Sequence, residues 1–145
     1  MNQAMARWLF LAFLFVPSLA AADCYSWPLR TVDGRQNYDA DTLYIAMPGL
    51  PPALADMSVR ALGVDAPEIR GKCESERAKA AEAREFVTAK LAGAASVTFC
   101  NIKWDKYGGR ILADVRIDGE NLADILIQRR LARSYDGKKR GGWCN

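Results

Sequence analysis

Three observations predict a mixed α+β domain that is mainly β. Short alternating or β-branched runs recur along the chain, at Leu29–Val32, Thr42–Ala46, Ser58–Val64, Ser96–Ile102 and Arg110–Ile117. A single long helical pattern falls between the third and fourth of these runs. A short second helix follows the last. Five strands with a helix between strands three and four, closed by a C-terminal helix, suggest a small five-stranded barrel of the OB type.

Each element has its own local reason. Pro28 confines the first strand to its start or an edge. The second strand ends at the Met47-Pro48-Gly49-Leu50-Pro51-Pro52 break, which reads as a loop. In the third, Ser58, Arg60, Leu62 and Val64 point one way, and Val59 and Ala61 the other. The long helix runs from about Ser75 to Leu91, with Ala80, Ala83, Val87 and Leu91 near one stripe and Phe86 beside it. Glu74 and Glu76 pair with Arg77 and Lys79 on its outer face, and Gly93 ends it. Lys106-Tyr107-Gly108-Gly109 turns the chain into the fifth strand, where Ile111, Ala113, Val115 and Ile117 share one face. Asp118-Gly119 is a turn. Asn121 caps a helix through about Arg129 whose buried face is Leu122, Ile125 and Leu126.

Composition narrows the chemistry. The 145 residues include 20 Lys and Arg, 17 Asp and Glu, four Cys and no His. Without histidine there is no Ser-His-Asp or Cys-His catalytic system and no His-bearing zinc site. A metal would be held mainly by oxygen, which favours hard cations such as Ca²⁺ or Mg²⁺. The net charge of +3 permits an anionic partner without demanding one.

Residues 1–22 read as a secretory signal peptide, leaving 23–145 as one domain. Arg7 precedes the apolar run Trp8–Val16, and Ala20-Ala21-Ala22 provides the small-residue exit. The run is short against the roughly 20 residues of a membrane span. The chain is therefore expected to be exported, to a periplasm or the medium. There Cys24, Cys73, Cys100 and Cys144 would form two disulfides. No pair has the CxxC spacing of a zinc site. Three pairings are open from sequence alone. In an OB barrel the fourth strand lies beside the first, so Cys24 and Cys100 would be neighbours if the two run antiparallel, leaving Cys73 with Cys144.

Three polar clusters carry the functional signal. Asp39-Ala40-Asp41-Thr42 opens the second strand. Arg60-Ala61-Leu62-Gly63-Val64-Asp65-Ala66-Pro67-Glu68 runs from a strand into a proline-set turn. Asp105-Lys106-Tyr107-Gly108-Gly109-Arg110 is a basic turn entering a strand. Aspartates at strand ends can share a hard cation. A nearby glutamate can deprotonate a water, and arginines can clamp a phosphodiester with their forked donors. Arg60, in mid-strand, needs a partner in any case, and Asp65 or Asp41 could supply one.

These clusters, with Tyr38 before the first and Ile111-Leu112-Ala113 after the last, resemble the motifs of the staphylococcal nuclease (thermonuclease) family. The resemblance extends from about Leu29 to Ser134. It implies a Ca²⁺-dependent phosphodiesterase of OB fold acting on DNA and RNA, and a monomer is expected. It implies Asp41, Asp65 and the carbonyl of Ala66 as Ca²⁺ ligands, and Glu68 as the residue that orients or activates water. Arg60 and Arg110 would bind phosphate and stabilise charge. Lys106 and Tyr107 would lie beside the phosphate, and Tyr135 would stack on a base. Ala40 replaces the family's usual Gly, Gly108-Gly109 lengthens the basic turn by one residue, and Arg130 stands where Gly suits a helix C-cap. The alternatives are a catalytically inactive OB module binding single strands through Arg60, Arg110, Lys106 and the Lys138-Lys139-Arg140 tail, and a disulfide-bonded structural domain.

Overall fold

Strand pairing sets the frame of the computed structural model, which describes residues 23–144. Residues 1–22, expected to be a signal peptide, lie outside the described residues. In chain order the elements are β1 (Cys24–Tyr25), β2 (Thr42–Ala46), α1 (Pro52–Ala55), β3 (Asp56–Ala61), β4 (Val64–Asp65), α2 (Glu74–Ala92), β5 (Val97–Trp104), β6 (Arg110–Ile117), β7 (Glu120–Asn121), α3 (Leu122–Gln128) and β8 (Arg133–Ser134). The main sheet runs β1-β5-β6-β3-β2, with β7 on β6, and β4 pairs separately with β8. The fold is α+β, mainly sheet.

The named strands do not close into a barrel. β1 forms one edge and β2 the other. The chain leaving β1 spans them only by an isolated bridge, Leu29 to Ile45, where Arg30 N–H donates to Tyr44 O and Ala46 N–H to Pro28 O. The first strand is thus displaced from the expected Leu29–Val32 to Cys24–Tyr25. Cys24–Tyr25 pairs with β5, while the Asp33-Gly34 turn (φ +48° and +77°) folds Val32 back onto Arg35. The expected Ser58–Val64 strand is also split. Gly63 at φ +78° ends β3, and β4 leaves for a different partner. The Pro-rich break contains one helical turn, α1, opened by prolines that need no helical N–H.

The core lies under the inward faces of β2, β3 and β6. Leu43, Ile45, Val59, Ile111, Ala113, Val115 and Ile117 are buried there, with Phe99 from β5. Ala80, Ala83, Val87 and Leu91 bury the inner stripe of α2. Leu122, Ala123 and Leu126 bury α3; Ile125, expected there, is only half-buried. Asn121 caps α3 by accepting from Ala123 N–H at 2.8 Å. Arg130 ends it at φ +58°, the position suited to glycine.

Glu76 departs from its expected place on the outer face. It is buried, and its carboxylate accepts the Lys72 N–H at 3.0 Å and the Glu68 N–H at 3.3 Å. It therefore ties the loop between β4 and α2 to the helix. The disulfides are Cys24–Cys100, across the antiparallel β1/β5 ladder, and Cys73–Cys144, from the start of α2 to the C-terminal segment. Two disulfides suit an oxidising compartment. No helix among the described residues is long and apolar enough to cross a membrane.

Candidate active site

The sheet register builds the site. β2 and β3 pair antiparallel with Thr42 opposite Arg60, while β3 and β6 pair parallel with Arg60 opposite Leu112 and Ser58 opposite Arg110. Side chains alternate along a strand, so Thr42, Arg60, Leu112 and Arg110 share the face turned away from the core. They line a cleft of about 750 Å³ with Glu68, Lys106, Tyr107 and Tyr135.

Arg60 finds its strand-centre partner in Asp41. Its Nη1 donates to Asp41 Oδ1 at 3.1 Å, and its Nη2 lies 3.0 Å from Oδ2. Thr42 Oγ1 donates to Asp41 Oδ1 at 3.0 Å, and Ala66 N–H to Oδ2 at 3.2 Å. Asp65 lies beyond, 3.9 Å from Arg60 Nη2. Asp41, Arg60, Asp65 and Ala66 thus form one buried cluster. Ala40, at 1% exposure, packs in the core without a positive φ, so alanine is unstrained where glycine was the expectation.

Glu68 reaches this cluster through a residue of the tail. Arg140 Nη1 donates to Glu68 Oε1 at 2.6 Å, and its Nε lies 3.0 Å from Asp65 Oδ1. Trp143 Nε1 donates to the other Asp65 oxygen at 3.2 Å. Arg133 sits over the Trp143 ring at 3.8 Å, and Cys144 follows in its disulfide. Sequence reasoning placed Arg140 in a basic tail but did not place it, or Trp143, on the acidic cluster. The one signal available was the Cys73–Cys144 pairing, which brings the C-terminal segment back to the end of the Asp65–Glu68 turn.

Arg110 is held by Asp105, whose Oδ2 accepts from Nε at 2.7 Å. Burial pushes the Asp105 carboxyl up, but the hydrogen bond and charge of Arg110 and the Tyr107 N–H outweigh it and hold it below the usual carboxylate range. Gly108 and Gly109 both take φ near +70°, which two consecutive side-chain-bearing residues would resist. Tyr107 is 78% exposed, with Lys106 over its ring. Tyr135 faces the cleft and donates its hydroxyl to Lys138 O at 2.9 Å.

Asp39 lies behind Asp41 and accepts its N–H at 3.2 Å. Burial, then the neighbouring Asp41 charge, push Asp39 up to about 8. Burial raises Asp41 as well, against the pull of Arg60, Ala66 N–H and Thr42. Asp41 accepts from three donors, which favour its charged form over that of Asp39.

The donors fit a hard dication. Asp41 and Asp65 offer carboxylate oxygens only, and both are buried. Asp65 Oδ1 has no aligned hydrogen bond, its contacts with Arg140 and Arg60 being ion pairs alone. A buried anionic oxygen without a donor is suited to a cation. Among the described residues Cys73, Glu76 and Cys144 also bring metal-binding residue types together, but the disulfide takes up both sulfurs.

A search of curated proteins found no match. The family model for staphylococcal nuclease homologues matches residues 58–141. The match contains Arg60, Asp65, Glu68, the basic turn, Arg110, Tyr135 and Arg140, while Asp41 lies before it and joins the cluster through the β2/β3 ladder. With more than half of its length matched, the chain belongs to the staphylococcal nuclease homologue family.

Proposed function

We propose that the protein is an exported, Ca²⁺-dependent nuclease that hydrolyses phosphodiester bonds in DNA and RNA. Its domain is 23–145, released from a signal peptide at 1–22, and it acts as a monomer. The observation that carries the reading is one cleft lined by Arg60, Glu68 and Arg110, with Asp41 and Asp65 buried against Arg60. We read the sheet as an OB-type barrel whose seam is the Leu29–Ile45 bridge.

Asp41, Asp65 and Ala66 would hold the ion, which supplies charge neutralisation at the phosphate when bound. Glu68, half-exposed at the rim, takes the proton of an attacking water. As the new P–O bond forms, the P–O ester bond breaks and the leaving oxygen is protonated from solvent. Arg110 and Arg60 face the same cleft and bind the non-bridging oxygens, where negative charge gathers in the transition state.

Plasmid DNA should be nicked in Ca²⁺ and left intact in excess chelator. Cleavage indifferent to chelation would overturn the metal-dependent reading. The Arg140 contacts with Asp65 and Glu68 favour one other outcome, a module that binds nucleic acid without cutting it. Affinity for DNA without nicking in Ca²⁺ would identify that case.

The Asp39–Asp41 proton gives a pH signature. Both carboxyls are raised on folding, so their contribution to apo stability is full below the unfolded value and is lost as pH rises, for Asp39 through about 8. Ca²⁺ competes with that proton, so its affinity should rise with pH over the same window, with proton release. Calorimetric titration in buffers of different ionisation enthalpy measures both. A pH-independent affinity would uncouple the ion from the Asp39–Asp41 pair and count against Asp41 as its ligand.

A further inference from the structure

Beyond the basic turn the cleft continues into a second depression of about 550 Å³ that is mainly apolar. Trp104, the last residue of β5, lines both hollows and is 72% exposed. Tyr25 and Trp27 form one wall, stacked at 5.5 Å and 9°. Trp27 stacks in turn on the fully buried Phe99 at 5.7 Å, so this wall is anchored in the core. Leu50 and Leu54, from the Pro-rich loop and α1, form the opposite wall and are themselves exposed. Apolar surface left contiguous in this way marks a binding surface more often than chance exposure.

Its charges say what binds. Lys103 and Lys106 flank Trp104, and neither makes an ion pair among the described residues. Asp105 between them is buried and turned to Arg110, so it adds no free negative charge to the rim. Lys103 and Trp104 are both exposed and both line the depression, and beyond them Lys106 sits over the exposed Tyr107 ring. Ammonium groups for phosphates alternating with rings for base faces are the chemistry of single-strand binding. A duplex keeps its base faces stacked inside and offers nothing to these rings.

We propose that this depression is a base-stacking subsite for single-stranded nucleic acid. It takes the nucleotides adjoining the one whose phosphate lies against Arg60 and Arg110. Trp104 is the stacking ring at the junction of the two hollows, Leu50 and Leu54 enclose a base against Tyr25 and Trp27, and Lys103 holds a phosphate between them. The assignment rests on the nuclease reading for the direction of the strand's path. It adds to that reading a second surface, outside the phosphate cleft, on which affinity for longer strands depends.

The test is fluorescence anisotropy of labelled oligothymidylates, a dinucleotide and an octanucleotide, titrated with the protein in excess chelator. Trp104→Ala removes an exposed ring, and Leu54→Asp alters the opposite wall on a separate element. The octanucleotide should bind at least about tenfold more tightly than the dinucleotide, and each variant should lose most of that advantage. An advantage surviving in both variants overturns the subsite. So does concentration-dependent dimerisation that Trp104→Ala abolishes without changing octanucleotide affinity, which would put a second copy of the chain on this face. A parallel cleavage assay in Ca²⁺ separates the two conclusions. Length-dependent affinity without cleavage keeps the subsite and removes the nuclease. Cleavage without length-dependent affinity does the reverse.

Discussion

Glu68→Gln should lower kcat by about 10²- to 10⁴-fold, the usual worth of a positioned acid–base group, with KM changed much less. Glu68 stands on a turn whose backbone is held independently, its N–H donating to Glu76 at 3.3 Å. Glutamine keeps the length and shape of the side chain and can still accept from Arg140. What it loses is the ability to take a proton. The lost ion pair is 41% and 42% exposed on its two sides, so it contributes no more than about 1 kcal/mol to stability. The melting temperature should accordingly stay within a few degrees, and a steady-state assay beside a thermal melt separates chemistry from folding. A kcat within tenfold of wild type would assign the proton to another group and leave Glu68 a role in orientation alone.

Replacing Cys73 and Cys144 together by serine should pull two measurements in opposite directions. Their sequence separation is 71, and in the chain-entropy picture a closed loop of that size is worth about 4 kcal/mol. The unfolding free energy in urea should fall by that order. Ca²⁺ affinity should rise, because the bond anchors the segment that brings Arg140 to Asp65 and Glu68 and Trp143 to Asp65. A guanidinium on two of the site's carboxylates competes for the charge that a dication would neutralise. Arg140→Ala separates the two effects, raising Ca²⁺ affinity with the disulfide and most of the stability intact. If Ca²⁺ affinity is unchanged in both variants, the tail does not compete with the ion.

Much of this arrangement is legible in the sequence, and the boundary has physical causes. β2, α2 and β6 follow from strong local periodicity, so their ends fall within about a residue of expectation. The need of Arg60 for a carboxylate partner also follows locally, since a buried guanidinium cannot stand alone. Glu76 was recoverable as well. It precedes Ala80 by four residues and so falls on the same buried stripe, but its charge suggested the outer face. The edges of the sheet were not recoverable in this way. The shift of the first strand to Cys24–Tyr25 depends on pairing with β5, far along the chain. The split at Gly63 depends on β8 capturing β4. The contact of Arg140 with the acidic turn is more distant still, joining residues 72 apart. Local composition reads such a residue only as part of a basic tail.

The parallel β3/β6 register, which sets Arg60 and Arg110 on one face with α2 and β5 threaded between them, has a consequence for when the molecule can act. Parallel pairing across so long a crossover is among the slower steps in folding, because loop closure precedes any contact that rewards it. Asp41, Arg60, Asp65 and Glu68 come together on the β2/β3 hairpin and the turn after it, but Arg110 joins their face only when that crossover is complete. If the chain is the nuclease proposed above, its unfolded form therefore carries no complete cutting site. A protein that leaves its cell before it folds would be harmless to the nucleic acids it passes on the way out.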